Sequence, residues 1–173
     1  GFGRTGKLWG FEHYGVIPDV LMLGKALGGG MPMGAFISSY SNMQAFTNNP
    51  VLGHISTFGG HPVCCAAGMA AMQVLLDSGI ANEVAEKEAL FLQGLKHPGI
   101  ISVRSKGLLI AVELSNPQQV LTLVQKCIDS GLFTDWFLFA QNCLRIAPPL
   151  TITSREIAES CRIITTSLSD MGL

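Results

Sequence analysis

Asp19-Val-Leu-Met-Leu-Gly-Lys-Ala-Leu-Gly-Gly-Gly-Met-Pro-Met-Gly34 sets a single lysine, Lys25, at the end of an apolar run that stops at Gly24. Val20 to Leu23 read as a short buried strand and Gly24 as the turn out of it. Gly28 to Gly30 mark places where another backbone or a ligand can approach closely. An ammonium at the end of a core strand is costly unless paired or neutral, so burial there favours the free, nucleophilic amine that Schiff-base chemistry uses. The plain alternative is a surface lysine in a glycine-rich loop.

Three other readings of the glycines, histidines and cysteines are weaker. A phosphate-binding P-loop needs a glycine where Asp19 stands and a hydroxyl residue where Ala26 stands. Gly1-Phe-Gly-Arg-Thr-Gly6 matches the glycine spacing of a dinucleotide fingerprint, but no strand precedes it in the sequence and a poor helix follows. The four histidines and five cysteines lack metal-ligand spacing: Cys64 and Cys65 are adjacent, and Cys127, Cys143 and Cys161 stand far apart, so no metal is expected.

The 173 residues, 48% hydrophobic and 13% charged, suit a chain that buries much of itself. A net charge of -1 with interspersed signs offers no surface for nucleic acid or anionic lipid, so the expected ligand is small. No apolar run is long enough to span a membrane, no signal peptide opens the sequence, and an odd number of cysteines suits reduced thiols. A cytoplasmic location is expected on these grounds. Opening on a glycine-rich turn, the sequence reads as part of a larger protein.

In chain order, a helical turn is expected at Trp9 to Tyr14, the strand at Val20, and a second strand at Gly34 to Ser39. His54-Ile-Ser-Thr-Phe-Gly-Gly-His-Pro62 puts a hydroxyl pair and two glycines before a proline suited to a first helical turn. Ser56 or Thr57 either caps that helix or helps hold a phosphate. Val63 to Leu76, crowded with alanines and Gly68, reads as a buried helix against which another element packs closely. Ala81 to Leu95 reads as an amphipathic helix with Val84, Leu90, Phe91 and Leu95 inside.

His97-Pro98-Gly99 is the expected domain junction, dividing the chain into 1–96 and 97–173. Strands are expected at Ile100 to Arg104 and Leu108 to Leu114, with Glu113 on an exposed face, and a helix at Gln118 to Ser130. Two further strands, Leu132 to Ala140 and Cys143 to Ala147, would be joined at Gln141-Asn142. Arg145 lies inside the apolar stretch Leu-Arg-Ile-Ala-Pro-Pro-Leu, where a guanidinium needs either a ligand carboxylate or an internal salt bridge. Thr153-Ser-Arg-Glu156 gives a cap and the start of a last helix running to Met171.

Gly3-Arg-Thr-Gly6, Pro18-Asp19, Gly24-Lys-Ala-Leu-Gly-Gly-Gly-Met-Pro-Met-Gly-Ala35, Ser56-Thr-Phe-Gly-Gly-His-Pro62 and Leu144-Arg-Ile-Ala-Pro-Pro-Leu150 together resemble the successive motifs of class III aminotransferases, the acetylornithine, ornithine and 4-aminobutyrate group. The resemblance runs through essentially the whole chain and corresponds to the C-terminal half or less of such an enzyme. It implies an α/β fold: the last strands and helices of the large domain of a pyridoxal-phosphate-dependent transferase of fold type I, part of a mostly parallel sheet, followed by the small C-terminal α/β domain. It also implies pyridoxal 5'-phosphate as cofactor, Lys25 as its Schiff-base lysine and proton carrier, and Thr57, with Ser56 beside it, at the cofactor phosphate of a neighbouring subunit. Arg145 would hold the substrate carboxylate. The implied partners are an amino donor, a 2-oxo acid and a second copy in a homodimer with shared active sites.

The sequence departs from the family at His61, where asparagine is usual, and at Asp135-Trp136, which matches no substrate group. The family's acidic partner of the pyridine nitrogen, its ring-stacking aromatic and its main phosphate loop would lie before Gly1. The 173 residues alone are therefore expected to bind the cofactor poorly, to show little transamination, and to self-associate through bare sheet edges. An aminomutase or decarboxylase-like relative using the same lysine, and a non-catalytic interaction domain of the same fold, are the alternatives.

Overall fold

The computed structural model describes all 173 residues, Gly1–Leu173, and its packing divides the chain into two compact units. One comprises Phe2 and Trp9–Gly79; the other comprises Gly1, Gly3–Leu8 and Ile80–Leu173. The composition change that suggested a junction at His97 thus differs from the packing boundary at Gly79. Helix α3 (Val84–Gly94), on the N-terminal side of His97, packs against α5 (Ser154–Ser169) and belongs with the second unit.

In the first unit a 3-10 turn at Gly10–Tyr14 leads to strand β1 (Val20–Leu23), which pairs antiparallel with β2 (Ala35–Ser38). The register sets Val20 opposite Ser38 and Leu23 opposite Ala35, so the intervening segment closes a hairpin around the lysine. β1 and β2 form a two-stranded antiparallel pair. Along β1, exposed residues alternate with half-buried ones, so it is not a core strand. A short helix α1 (Tyr40–Met43) follows, capped by the Ser39 hydroxyl, which accepts a hydrogen bond from the Asn42 N–H.

Helix α2 (Pro62–Asp77) has the expected extent but not the expected burial. Within this chain only Gly68 is buried, while Val63, Met69, Val74 and Leu76 are exposed. Its apolar residues are spread around the whole circumference, and its small residues, Gly68 among them, face the turn that carries Lys25.

The second unit is built on a four-stranded antiparallel sheet in the order β3 (Ser102–Ser105), β4 (Ile110–Glu113), β6 (Ala140–Ile146), β5 (Asp135–Phe137). The register places Ile110 opposite Ile146 and Val112 opposite Leu144. These four side chains are buried with Val84, Phe91, Val120, Leu123, Ile157, Ile164 and Leu168 from α3, α4 (Pro117–Asp129) and α5. Burying each such aliphatic side chain stabilises the fold by about 1.5–3 kcal/mol. The helix starts read from sequence are present. The Asn116 side chain accepts from the Gln119 N–H at 3.0 Å, and Thr153 and Glu156 form a reciprocal capping box.

The turn between β5 and β6 differs from the expected one. The hairpin turns at Leu138-Phe139, three residues before Gln141-Asn142, which lie inside β6. Phe137 pairs with Ala140 across this turn, and Phe139 is 98% exposed.

The core also holds Cys127 and Cys161. Burial pushes both thiols from the ordinary 9.0 up to about 11. At pH 8 their thiolate fraction is about a hundredfold below that of an unperturbed thiol, so iodoacetamide should alkylate them about a hundredfold more slowly until the protein unfolds. Because the folded values lie above the unfolded ones, the stability linked to these protons is complete below pH 9 and is lost as pH rises through about 11. A urea-unfolding midpoint that falls across this window, and falls less in a Cys127→Ala/Cys161→Ala protein, is the expected result.

Candidate active site

Lys25 is the first residue of a 3-10 turn, Lys25–Gly28, entered from the extended Gly24 at the end of β1. Its φ of +51° is uncommon for a side-chain-bearing residue and is held by the surrounding packing. The packing is unusually close. A Cβ on Gly68 of α2 would lie 2.6 Å from the Leu27 carbonyl oxygen, and one on Gly29 would lie 2.6 Å from the Ala67 carbonyl oxygen. The α2 backbone therefore abuts the lysine turn, as the small residues led one to expect, and fixes where the amine emerges.

The lysine itself is exposed in this chain, which corrects its reading as a buried residue. β1 itself is half exposed, and no other element of this unit covers the residue that follows it. The Lys25 side chain makes no ion pair.

Ser56 and Thr57 are exposed in the turn before α2. Neither caps the helix: the N-cap is His61, which makes no side-chain capping bond, and Pro62 fills the first turn. The Ser56 carbonyl accepts from the Gly59 N–H at 3.1 Å. Both hydroxyls thus stand free of the structural role that was their plain alternative.

Arg145 belongs to the second unit. It projects from β6 on the sheet face opposite the apolar core, since its neighbours Leu144 and Ile146 point into that core. Of the two partners open to it from sequence, the structure contains the internal one. Its Nε donates to Asp135 Oδ1 at 2.6 Å and its Nη2 to Asp135 Oδ2, a bidentate pair across β5 and β6. The pair lines a cavity of about 360 Å³ with Phe91, Phe133, Pro148 and Ile152. Arg4 stands nearby, its Nη1 donating to the carbonyls of Leu108 and Pro148 at 2.8 Å each. Burial, and then the charge of Arg145, lower the Arg4 pKa.

Along the same face, Glu113 is not the plain solvated residue expected from sequence. It accepts from Ser102, Arg104 and Asn142. The Ser102 hydroxyl, then the Arg104 guanidinium, hold its carboxyl below the usual carboxylate range.

Sequence reasoning named Lys25, Ser56, Thr57 and Arg145 but missed Asp135 and Arg4 as electrostatic neighbours of Arg145. A turn at Gln141-Asn142 would have set Leu138 opposite Arg145, whereas the observed register sets Asp135 there. No glycine, asparagine or proline marks Leu138-Phe139 as a turn. The one available signal was a carboxylate in an otherwise apolar strand near an arginine in the next.

The family profile described as aminotransferase class III matches residues 1–168. The chain belongs to the class III aminotransferases. It is 38% identical to the acetylornithine aminotransferase of Caldanaerobacter subterraneus over 176 residues, covering 99% of this chain and 43% of that one. It is 38% identical to the putrescine aminotransferase of Pectobacterium atrosepticum over 165 residues, 91% of this chain and 35% of that one. An ornithine aminotransferase structure from Toxoplasma gondii superposes with a TM-score of 0.86 at 32% identity over 99% of this chain and 42% of that one. The chain thus spans less than half the length of these relatives. The aminotransferase family and the α/β fold are as the sequence motifs implied. No single helix is long and apolar enough to cross a membrane.

Proposed function

We propose that the complete protein carrying this class III aminotransferase chain transfers an amino group between an amino acid or amine donor and a 2-oxo acid, with pyridoxal 5'-phosphate bound through Lys25. The observation that carries this reading is the unpaired Lys25 amine, held on a positive-φ turn by the backbone of α2. The donor set fits such a cofactor: a primary amine for its aldehyde, and two uncommitted hydroxyls, Ser56 and Thr57, ahead of a 16-residue helix, for its phosphate. When bound, the cofactor supplies an electron sink that acidifies the α-C–H bond of a captured amine.

With the cofactor bound, Lys25 would be the general base that takes the substrate α-proton and the acid that gives it back. Thr57 would hold the cofactor phosphate by donating a hydrogen bond from its hydroxyl. Arg145 binds the substrate carboxylate and aligns the C–H bond. We place Thr57 at the site of a second subunit, so that the working form is a homodimer. A reducing, cytoplasmic location suits the five unpaired cysteines. Because the chain spans 43% of its acetylornithine-aminotransferase relative, the 173 residues alone are expected to show little transamination.

Visible absorbance with added pyridoxal phosphate, then borohydride reduction and peptide mapping of the complete protein, tests the reading. A label confined to Lys25 supports it. Diffuse labelling of several lysines, or none, removes it and favours a non-catalytic domain. The Arg145 assignment has its own test: Arg145→Met should raise KM for a 2-oxo acid about a hundredfold, in line with the loss of a charge-assisted bidentate contact. An unchanged KM for the oxo acid would remove Arg145 from the substrate site.

A further inference from the structure

The segment that leaves β6 after Arg145, Ala147-Pro-Pro-Leu-Thr-Ile-Thr153, joins that strand to α5 without regular structure of its own. Its two prolines carry no N–H, so its carbonyls find few partners within the segment. One internal bond closes its turn, from the Ile152 N–H to the Pro149 carbonyl at 3.1 Å. The carbonyls on either side of Pro149 accept instead from cations that belong to distant parts of the same unit. Arg4 Nη1 donates to the Pro148 carbonyl at 2.8 Å, and Lys87 Nζ donates to the Leu150 carbonyl at 2.6 Å.

Lysine is among the residues least often buried, and a nearly buried one is held by specific partners. The Lys87 side chain, near the start of α3, is 12% exposed, and its ammonium lies between the Leu150 carbonyl and the Glu83 carboxylate, 2.8 Å away one turn earlier. Phe91, one turn further along the same face of α3, lines the cavity that also contains Arg145, Pro148, Pro149 and Ile152. One face of α3 thus supplies both an apolar wall of that cavity and an ammonium that fixes the backbone forming another. At the start of the segment the Thr134 hydroxyl donates to the Arg145 carbonyl at 2.8 Å. The backbone is therefore tied at Arg145, Pro148 and Leu150 by three side chains that come from three separate stretches of sequence.

We propose that Lys87 is a positioning residue for the carboxylate anchor: by holding the Leu150 carbonyl it keeps the proline segment where it shapes the cavity beside Arg145. This rests on the reading of Arg145 as that anchor. Lys87 does not itself line the cavity and acts through the backbone of Pro148 to Leu150.

The experiment uses the complete protein, with glutarate as an unreactive dicarboxylate followed by calorimetry and 2-oxoglutarate as the reacting acceptor. Lys87→Met keeps most of the stem and removes the donor. A segment in place about a tenth of the time binds its ligand about ten times more weakly, because apparent affinity scales with the competent fraction. The expected result is a rise of about tenfold in Kd for glutarate and in KM for 2-oxoglutarate, with kcat within about twofold of the unaltered protein. Lys87→Arg, which keeps a cationic donor, should bring both constants back to within about threefold. A merely structural lysine would lower the thermal midpoint and leave both constants in place, or would lower kcat along with them. Either result, or a Lys87→Arg protein as weak as Lys87→Met, overturns the proposal. Lys87→Gln removes the charge but keeps a shorter polar side chain, and it must raise both constants as well, which keeps the test decisive if the methionine variant does not fold. Arg145→Met separates the two readings. If it weakens glutarate binding while the Lys87 variants do not, Lys87 has no positioning role and the anchor stands. If it leaves glutarate binding unchanged, the anchor itself is wrong and the proposal falls with it.

Discussion

Lys25→Ala is expected to lower the transamination rate of the complete protein by about 10⁴-fold, the scale of losing a group that is both covalent anchor and proton carrier. Its effect on folding should be small. The side chain is exposed and unpaired, and the turn is held by backbone contacts of Gly68 and Gly29 with their neighbours, not by the lysine. Alanine keeps the same positive φ at Lys25 and changes none of those contacts. The thermal midpoint should therefore stay within a degree or two, which separates a chemical loss from a structural one. Lys25→Arg should be as inactive, since a guanidinium stays protonated and cannot serve as the base. A small primary amine added to Lys25→Ala should restore part of the rate by supplying the missing base from solution. Transamination that survives Lys25→Ala without added amine would assign the chemistry elsewhere.

Gly107→Ala is expected to have the largest effect on stability, about 3 kcal/mol or more, measured as a lowered thermal midpoint and reduced soluble yield. Gly107 has φ +60°, which a side chain rarely adopts. A Cβ there would stand 2.4 Å from the Arg4 carbonyl oxygen, 2.6 Å from Val84 Cγ1 and 2.8 Å from the Thr5 Cα. Two of these three atoms are backbone and cannot turn aside. The Arg4 carbonyl also accepts from the Leu108 N–H at 2.8 Å, so relieving the clash breaks a strand-end hydrogen bond. It moves the residue whose guanidinium ties Leu108 and Pro148 beside Arg145. A stable Gly107→Ala protein is therefore expected to show weakened handling of carboxylate substrates as well. A midpoint equal to that of the unaltered protein would contradict the packing.

Much of this was legible in the sequence because the signals are local. The strand at Val20–Leu23 is bounded by Pro18 and Gly24, and helix α3 shows its inner stripe of Val84, Phe91 and Leu95. The start of α5 announces itself through Thr153 and Glu156. Each depends on residues within one or two turns of each other. The small residues of α2 likewise foretold a close neighbour, and Gly68 against the Leu27 carbonyl is that neighbour.

Other features depended on what came to lie opposite what. Whether Lys25 and α2 are covered is decided by neighbouring elements, and the composition of either segment is silent on it. The β5–β6 turn falls on Leu138-Phe139, which carry none of the usual turn residues, and that turn together with the register irregularity between Trp136 and Phe137 sets Asp135, not Leu138, opposite Arg145. The sequence by itself determined the class III family, a lysine on a glycine-rich turn, and the presence of an arginine in need of an anion. Residue chemistry and short-range spacing are enough for those. Only the tertiary structure decided that the anion is Asp135, that Arg4 stands beside the pair, and that Glu113 joins a network of three donors. Strand register brings together residues with no fixed spacing along the chain, and a shift of one residue sends every side chain to the opposite face.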